Sequence, residues 1–290
     1  PHNIWFKEGS ASAVITNWFD NYLTEIDAVT KEVTTYIAGA APAHITSDHA
    51  GDDFYVSIEG SNYVQMFNQK NMRLTGQIPV SGSGPHGIWY GGNPDDDTAI
   101  IMTSNSLDNT VSFIDPAKKE EIMTLPAGLY PLGASVTSDG KKAYAGNCLA
   151  GSISIYELTT NSITKITPAI DGGIDPYLTD RKDPESNDNL SAPAIDKHDA
   201  VDPNTNLLVG GCPVQTPVSP DDRYVVVPGG PTVVIDTATN AVVAAFNTGK
   251  GAHGATFSEK SDGNGYYAYV THKKENYVSV IDLPRTGLPS

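Results

Sequence analysis

The chain has 290 residues, 34 acidic and 18 basic, and a formal net charge of −16. Such a surface repels nucleic acid and anionic lipid, and would steer cationic partners, such as a basic electron-carrier protein, toward it. A 39% hydrophobic content can build a sizeable core, 27 Gly and 20 Pro beside only 4 Met favour strands and tight turns over helices, and no apolar run is long enough for a membrane-spanning helix.

From Pro1 onward the pattern is already that of a strand. With neither a signal peptide nor an initiator Met before it, a processed form or a fragment of a longer chain is expected. The first full phrase is YLTEIDAVTKEVTTYIAG at 22–39: an alternating apolar strand ending in Ile-Asp, a polar turn, and a second strand closing in Gly. It returns weakly as YVQMFNQKNMRLTGQIPVSG (63–82) and clearly as NTVSFIDPAKKEEIMTLPAG (109–128). SISIYELTTNSITKI (152–166) is again weak, and AVDPNTNLLVGG (200–211) is degenerate. TVVIDTATNAVVAAFNTG (232–249) and YVSVIDL (277–283) complete the series. The turn residues are Asp27, Asn68, Asp115, Glu157, Asp202, Asp236 and Asp282. Their mean spacing is roughly 42 residues, the length of a propeller blade.

Each unit also carries an upstream pair of strands, as in 84–105, 130–147 and 252–271. Four strands per unit predict an all-β fold, a β-propeller of four-stranded blades, seven in number, as one domain over 1–290. One such blade is apolar on both faces and hides them only between neighbours. The stretch 168–211 is degenerate or inserted; within it 168–200, rich in Asp, Pro and Asn, is a polar insertion or a worn blade and holds the sequon Asn189-Leu190-Ser191. PRTGLPS at the end offers no outer strand, so the last blade is expected to stay short or to borrow one.

The phrase AYVTHKKENYVSVIDL (268–283), with TSDGKKAYAGN and VSPDDRYVVV, resembles the YVTN-type β-propeller repeat of archaeal surface-layer and bacterial periplasmic proteins. The resemblance spans nearly the whole chain and implies an extracytoplasmic propeller; it implies no activity. His272 stands where that repeat has Asn.

Cys148 and Cys212 carry no zinc-site spacing and are either a disulfide pair or two thiols. Were 168–211 a true blade, it would separate them and hinder a bridge; were it an insertion, a bridge becomes reasonable.

Four of the seven histidines, His2, His44, His86 and His253, share one repeat position at the opening of a blade's first strand, which lines the central channel in propellers. Leu132 and Val214 take that place in two other blades. In a closed ring the four would form an arc at the channel mouth, with His272 in a turn on the same rim. Imidazole sets suit copper or zinc, so these five are the candidate metal ligands, with copper the first cofactor considered. Propeller enzymes such as nitrous oxide reductase and thiocyanate dehydrogenase, whose channel histidines hold copper, resemble this loosely at the level of fold, although the motifs of nitrous oxide reductase, such as a paired His-His, are missing. The opposing reading is that such a histidine only satisfies groups at the mouth. His49 and His198 read as surface residues.

Acidic clusters at Asp95–Asp97, Asp171 with Asp175, and Asp183–Asp188 are weaker candidates for Ca²⁺, and none fits an EF-hand. Gly82–Gly87 matches G-x-G-x-x-G but contains Pro and leads into a strand, so it offers no helix N-terminus to a phosphate. Trp5 and Trp89 occupy matching places and read as blade packing. Two functions follow: an extracytoplasmic binding or scaffold module working with a protein partner or with another domain of its parent chain, or a copper-binding redox or electron-transfer protein. A sugar- or lactone-directed hydrolase finds no signature.

Overall fold

The computed structural model describes residues 1–7, 9, 11–47, 51–159, 162–166, 207–208 and 211–290. His49, His198, the sequon and the acidic groups between 171 and 188 lie outside these. The described residues form six antiparallel sheets in two compact units, Pro1–Pro126 and Ala127–Ser290. The only helical turn among them is a 3-10 turn at Pro94–Asp96.

In the first unit, three four-stranded meanders follow one another. The first is β1 (Ile4–Phe6), β2 (Ser12–Asn17), β3 (Tyr22–Asp27) and β4 (Val33–Ile37). The second is β5 (Pro42–Ser47), β6 (Asp53–Ile58), β7 (Tyr63–Asn68) and β8 (Leu74–Pro79). The third is β9 (Pro85–Gly91), β10 (Ile100–Asn105), β11 (Thr110–Asp115) and β12 (Glu120–Pro126). Alternation of apolar residues along the middle strands gives each sheet two apolar faces, and stacking buries them. Val14, Leu23, Phe54, Val56 and Phe67 fill the space between the first and second sheets. Tyr55, Met66, Ile78, Ile88 and Ile101 fill that between the second and third. Trp5 stacks on Phe54 at 5.2 Å, as its packing role predicts, whereas Trp89 is exposed.

The second unit contains β13 (Pro131–Val136), β14 (Lys142–Asn147), β15 (Ser152–Thr159) and β16 (Ser162–Ile166), with β17 (Leu207–Leu208) paired to β15. It continues with β18 (Tyr224–Val227), β19 (Thr232–Asp236) and β20 (Ala241–Phe246), then β21 (Ala252–Glu259), β22 (Gly265–His272) and β23 (Val278–Pro284). The sheet of β18–β20 lacks a regular inner strand; a single bridge, Val218 to Val225, marks its place. Pro213 and Pro217 there cannot donate to a ladder. The sheet of β21–β23 likewise has three strands among the described residues.

The seventh expected copy, at 200–211, builds no sheet of its own among the described residues; its Leu207–Leu208 joins the fourth sheet. Tyr144, Ile153 and Ile155 of that sheet pack directly on Val225, Val227, Val233 and Ile235 of the next. Cys148, just after β14, and Cys212 are bridged by a disulfide. Among the described residues no further sheet lies between the fourth and the fifth, and the two cysteines are joined.

One turn recurs for a physical reason. After the third strand of four sheets, Lys31, Met72, Lys119 and Asn240 have φ of 65°, 57°, 58° and 55°. The N–H of each bonds the carbonyl of the residue four before, Asp27, Asn68, Asp115 or Asp236, at 2.8–2.9 Å. The acid's own Oδ1 accepts backbone N–H groups inside the turn, as Asp115 does from Ala117 and Lys118 at 3.0 Å. This explains the repeated Asp better than any ligand role.

Burial raises the Asp115 pKa, but hydrogen bonds from Lys118 and Ala117 and the Lys118 charge outweigh it, leaving it below 3.8. A carboxyl depressed in the folded state contributes stability above its unfolded value and loses it as pH falls through the folded one. Asp115→Ala is expected to cost about 1 kcal/mol at neutral pH, the worth of such hydrogen bonds at a partly exposed site. Asp115→Asn, the residue nature uses at Asn68, should keep most of that stability and lose the acid dependence. Urea unfolding at pH 7 and below pH 3.8 tests both.

Candidate metal centre

In four of the six sheets the first strand pairs irregularly with the second, and the irregularity falls at the repeat's histidine position; β1 pairs with β2 in regular register. Register slips between Pro42 and Ile45 around His44, and between Asn105 and Thr103 opposite His86. It slips between Ala252 and Ala255 around His253, and between Pro131 and Gly133 around Leu132. A bulge turns one side chain out of the alternating pattern, which is how strand residues are aimed at a common point.

In the first unit that point gathers His2, His44 and His86. One ligand nitrogen from each lies within 4.8 Å of the others. The ring centroids are 4.9–5.2 Å apart, and Nε2 of His2 is 3.4 Å from Nε2 of His86. His86 is buried, His44 half-buried, and His2 the most open.

Two second-strand hydroxyls and the Asn3 amide tie neighbouring blades together. Thr16 Oγ1 donates to the Ala43 carbonyl at 2.6 Å, Ser57 Oγ donates to the His86 carbonyl, and the Ile45 N–H donates to Asn3 Oδ1 at 3.2 Å. The strands carrying the three imidazoles are thus tied through the residues beside them.

The repeat also supplies the surroundings. Trp18, Glu59 and Ser106 each follow the second strand of their own blade, and all three meet at this cluster. Glu59 Oε2 accepts from His86 Nδ1 at 2.9 Å, and Glu59 Oε1 accepts from Ser106 Oγ at 3.1 Å. Burial pushes the Glu59 carboxyl up, but the His86 hydrogen bond and charge, Ser106 and the nearby Trp18 indole together hold it below the ordinary carboxylate range. The indole N–H leans toward that carboxylate without hydrogen-bond geometry; it is buried and makes no hydrogen bond. The Trp18 ring stacks on His2 at 5.5 Å and meets His86 edge-on at 6.4 Å.

Glu59 has a chemical consequence. It accepts from Nδ1, so the neutral form of His86 carries its lone pair on Nε2, the nitrogen that faces His2. A carboxylate behind a histidine in this way orients metal ligands and raises their basicity. Bonds of about 2.0–2.1 Å around a tetrahedral ion put donors roughly 3.4 Å apart. The His2–His86 pair already has that spacing of 3.4 Å.

The remaining candidates belong to the second unit. His253 sits at the β21 bulge, half-buried. His272 is the last residue of β22, paired with Ala252, and so lies in a strand, not in a turn as expected. Its Nε2 is 3.0 Å from Ser279 Oγ. The repeat's asparagines make the same tie: Asn105 donates to Ser112 Oγ at 2.8 Å and Asn147 to Ser154 Oγ at 3.0 Å. His272 makes the corresponding tie at the end of β22, and its Nδ1 is buried without a hydrogen-bond partner. Asp95 lies within the 3-10 turn and Asp97 caps its end, and the histidine trio is the only metal-capable cluster among the described residues.

Sequence reading missed Glu59, Ser106 and Trp18. The available signal was an acid at a repeat position otherwise occupied by Trp18, Ser106 and Cys148.

No family model matches the chain, and no curated protein matches it. Similar solved structures exist. Hydrazine synthase from Kuenenia stuttgartiensis has a TM-score of 0.69 at 15% identity, over 97% of this chain and 83% of that one. A putative 6-phosphogluconolactonase from Bacteroides uniformis has 0.65 at 15% identity, over 99% and 82%. A chain of a mitotic checkpoint complex has 0.62 at 11% identity, over 94% and 70%. With the repeated meander sheets, these likenesses show a β-propeller fold and nothing about activity.

Proposed function

We propose that this chain is a β-propeller module that holds one transition-metal ion, copper or zinc, on His2, His44 and His86. The observation that carries this is the convergence of three imidazoles within 4.8 Å, backed by a buried carboxylate on His86 Nδ1. A histidine that only satisfied groups at a blade edge would need neither its two neighbours nor Glu59.

The module is proposed to work outside the cytoplasm, a reading supported by the Cys148–Cys212 bridge and by the YVTN-type resemblance. Its acidity supports a basic protein partner. Six blades are proposed, because the fourth sheet packs directly on the fifth and leaves no place between them. Copper remains the alternative that would give the module a redox role.

Elemental analysis after titration with Cu(II) or Zn(II) and desalting tests the metal. About one equivalent per chain is expected, falling below about a tenth in the His2→Ala, His44→Ala, His86→Ala triple variant with an unchanged strand spectrum. Wild-type protein that retains less than about a tenth of an equivalent would end the proposal.

A further inference from the structure

We infer that Trp18 and the turns beside it form an electron port: a basic electron-carrier protein docks on Phe19-Asp20 and Leu107-Asp108 and exchanges one electron with copper through the Trp18 ring. This rests on the metal reading above, with copper as the ion, because zinc has no redox chemistry. Every residue named belongs to the first unit.

The ring contacts run outward in order. Trp18 stacks on the ligand His2 at 5.5 Å, and its other contact is Phe19 at 4.8 Å, which is 86% exposed. Three rings in succession therefore join a metal ligand to the surface. The repeat brings them together. The turn from second to third strand opens at the same end of a sheet as the histidine position of the first strand.

That turn recurs in the third sheet. Asn105-Ser106-Leu107-Asp108-Asn109 matches Asn17-Trp18-Phe19-Asp20-Asn21, with Asn109 and Asn21 at φ of 61° and 54°. Leu107 is 64% exposed, and Asp20 and Asp108 are exposed as well. Ser106 bonds Glu59 at the cluster, so this turn borders the centre as the first one does. A single exposed apolar residue is ordinary on a surface. Two at one repeat position, each followed by an exposed Asp and each beside the same histidines, form a docking rim.

Charge and polarity select the partner. Exposed carboxylates on a chain of net charge −16 steer a cation toward the rim. Phe19 and Leu107 supply the apolar contact found at the middle of an interface. A basic carrier with an apolar patch around its redox group fits both. The transfer moves one electron and no proton: Cu(I) becomes Cu(II) as the carrier is reduced, or the reverse.

Ferricytochrome c, a basic protein whose haem iron takes one electron, is the probe. Copper-loaded protein, its content checked by elemental analysis, is reduced with ascorbate, desalted without oxygen and mixed with the probe by stopped flow. The expected result is haem reduction matched by an equal Cu(II) EPR signal, at a second-order rate that falls as salt rises. Asp20→Lys with Asp108→Lys should slow it more than about tenfold. Glu120→Lys should change it less than about twofold, since Glu120 is exposed at the far end of the third sheet, paired with Asp115. Trp18→Leu should slow it several-fold at unchanged copper content and EPR spectrum, and Trp18→Phe should restore most of the rate. Phe19→Ser, at an exposed position, should also slow it several-fold and decides the matter if Trp18→Leu loses copper. Copper that leaves the probe oxidised overturns the inference. So does a rate unchanged by the double Asp reversal, or by Trp18→Leu with copper retained, or by Phe19→Ser; the metal reading then stands. An undiminished rate in the triple histidine variant overturns it as copper bound elsewhere. Failure to retain copper ends the metal reading, and this inference with it.

Discussion

Replacing both cysteines, Cys148→Ser with Cys212→Ser, is expected to lower stability by about 4 kcal/mol. The bridge closes a loop with a sequence separation of 64. In the chain-entropy account, the unfolded chain regains the freedom that this closure removed. The native side should change little: Cys148 is 6% exposed, and the sheets it joins share their own apolar core. Guanidinium unfolding of the variant and of the wild type with reductant should give the same lowered midpoint. A difference from oxidised wild type under about 1 kcal/mol would show that the unfolded chain is restrained there by other means.

His86→Ala is expected to cost about 3–5 kcal/mol as well as the metal, because it strips a buried carboxylate of its partner. Glu59 is 9% exposed, and Ser106 alone would remain to satisfy it. His44→Ala should abolish metal retention equally and cost far less stability, since that half-buried ring does not hold the carboxylate. Adding Glu59→Gln to His86→Ala should recover much of the stability by removing the stranded charge, and none of the metal. Glu59→Gln alone should fold and bind metal about 10–100-fold more weakly. Metal titration and urea unfolding on the same set of variants separate the two effects. Equal stability losses for His44→Ala and His86→Ala would refute the assignment of Glu59.

The all-β class and the blade period were legible because they depend on local pattern. Alternation in segments such as Thr110–Asp115 and Thr232–Asp236 sets which faces must be buried, and the Asp turn repeats because its hydrogen bonds lie within five residues. The shared place of His2, His44 and His86 was legible for the same reason, since a repeat position maps to a position in space once blades stack.

What only the tertiary structure decided involves partners distant in sequence. Glu59 meets His86 across 27 residues and Ser106 across 47, and no local pattern marks either contact. His272 read as a ligand candidate by residue type, yet its bond to Ser279 gives it the work of the repeat's asparagine. The cysteine bridge and the direct packing of the fourth sheet on the fifth likewise join segments far apart in sequence. Strands are specified by neighbours along the chain, whereas a site at the strand openings is specified by which blades stack, and stacking is a long-range choice.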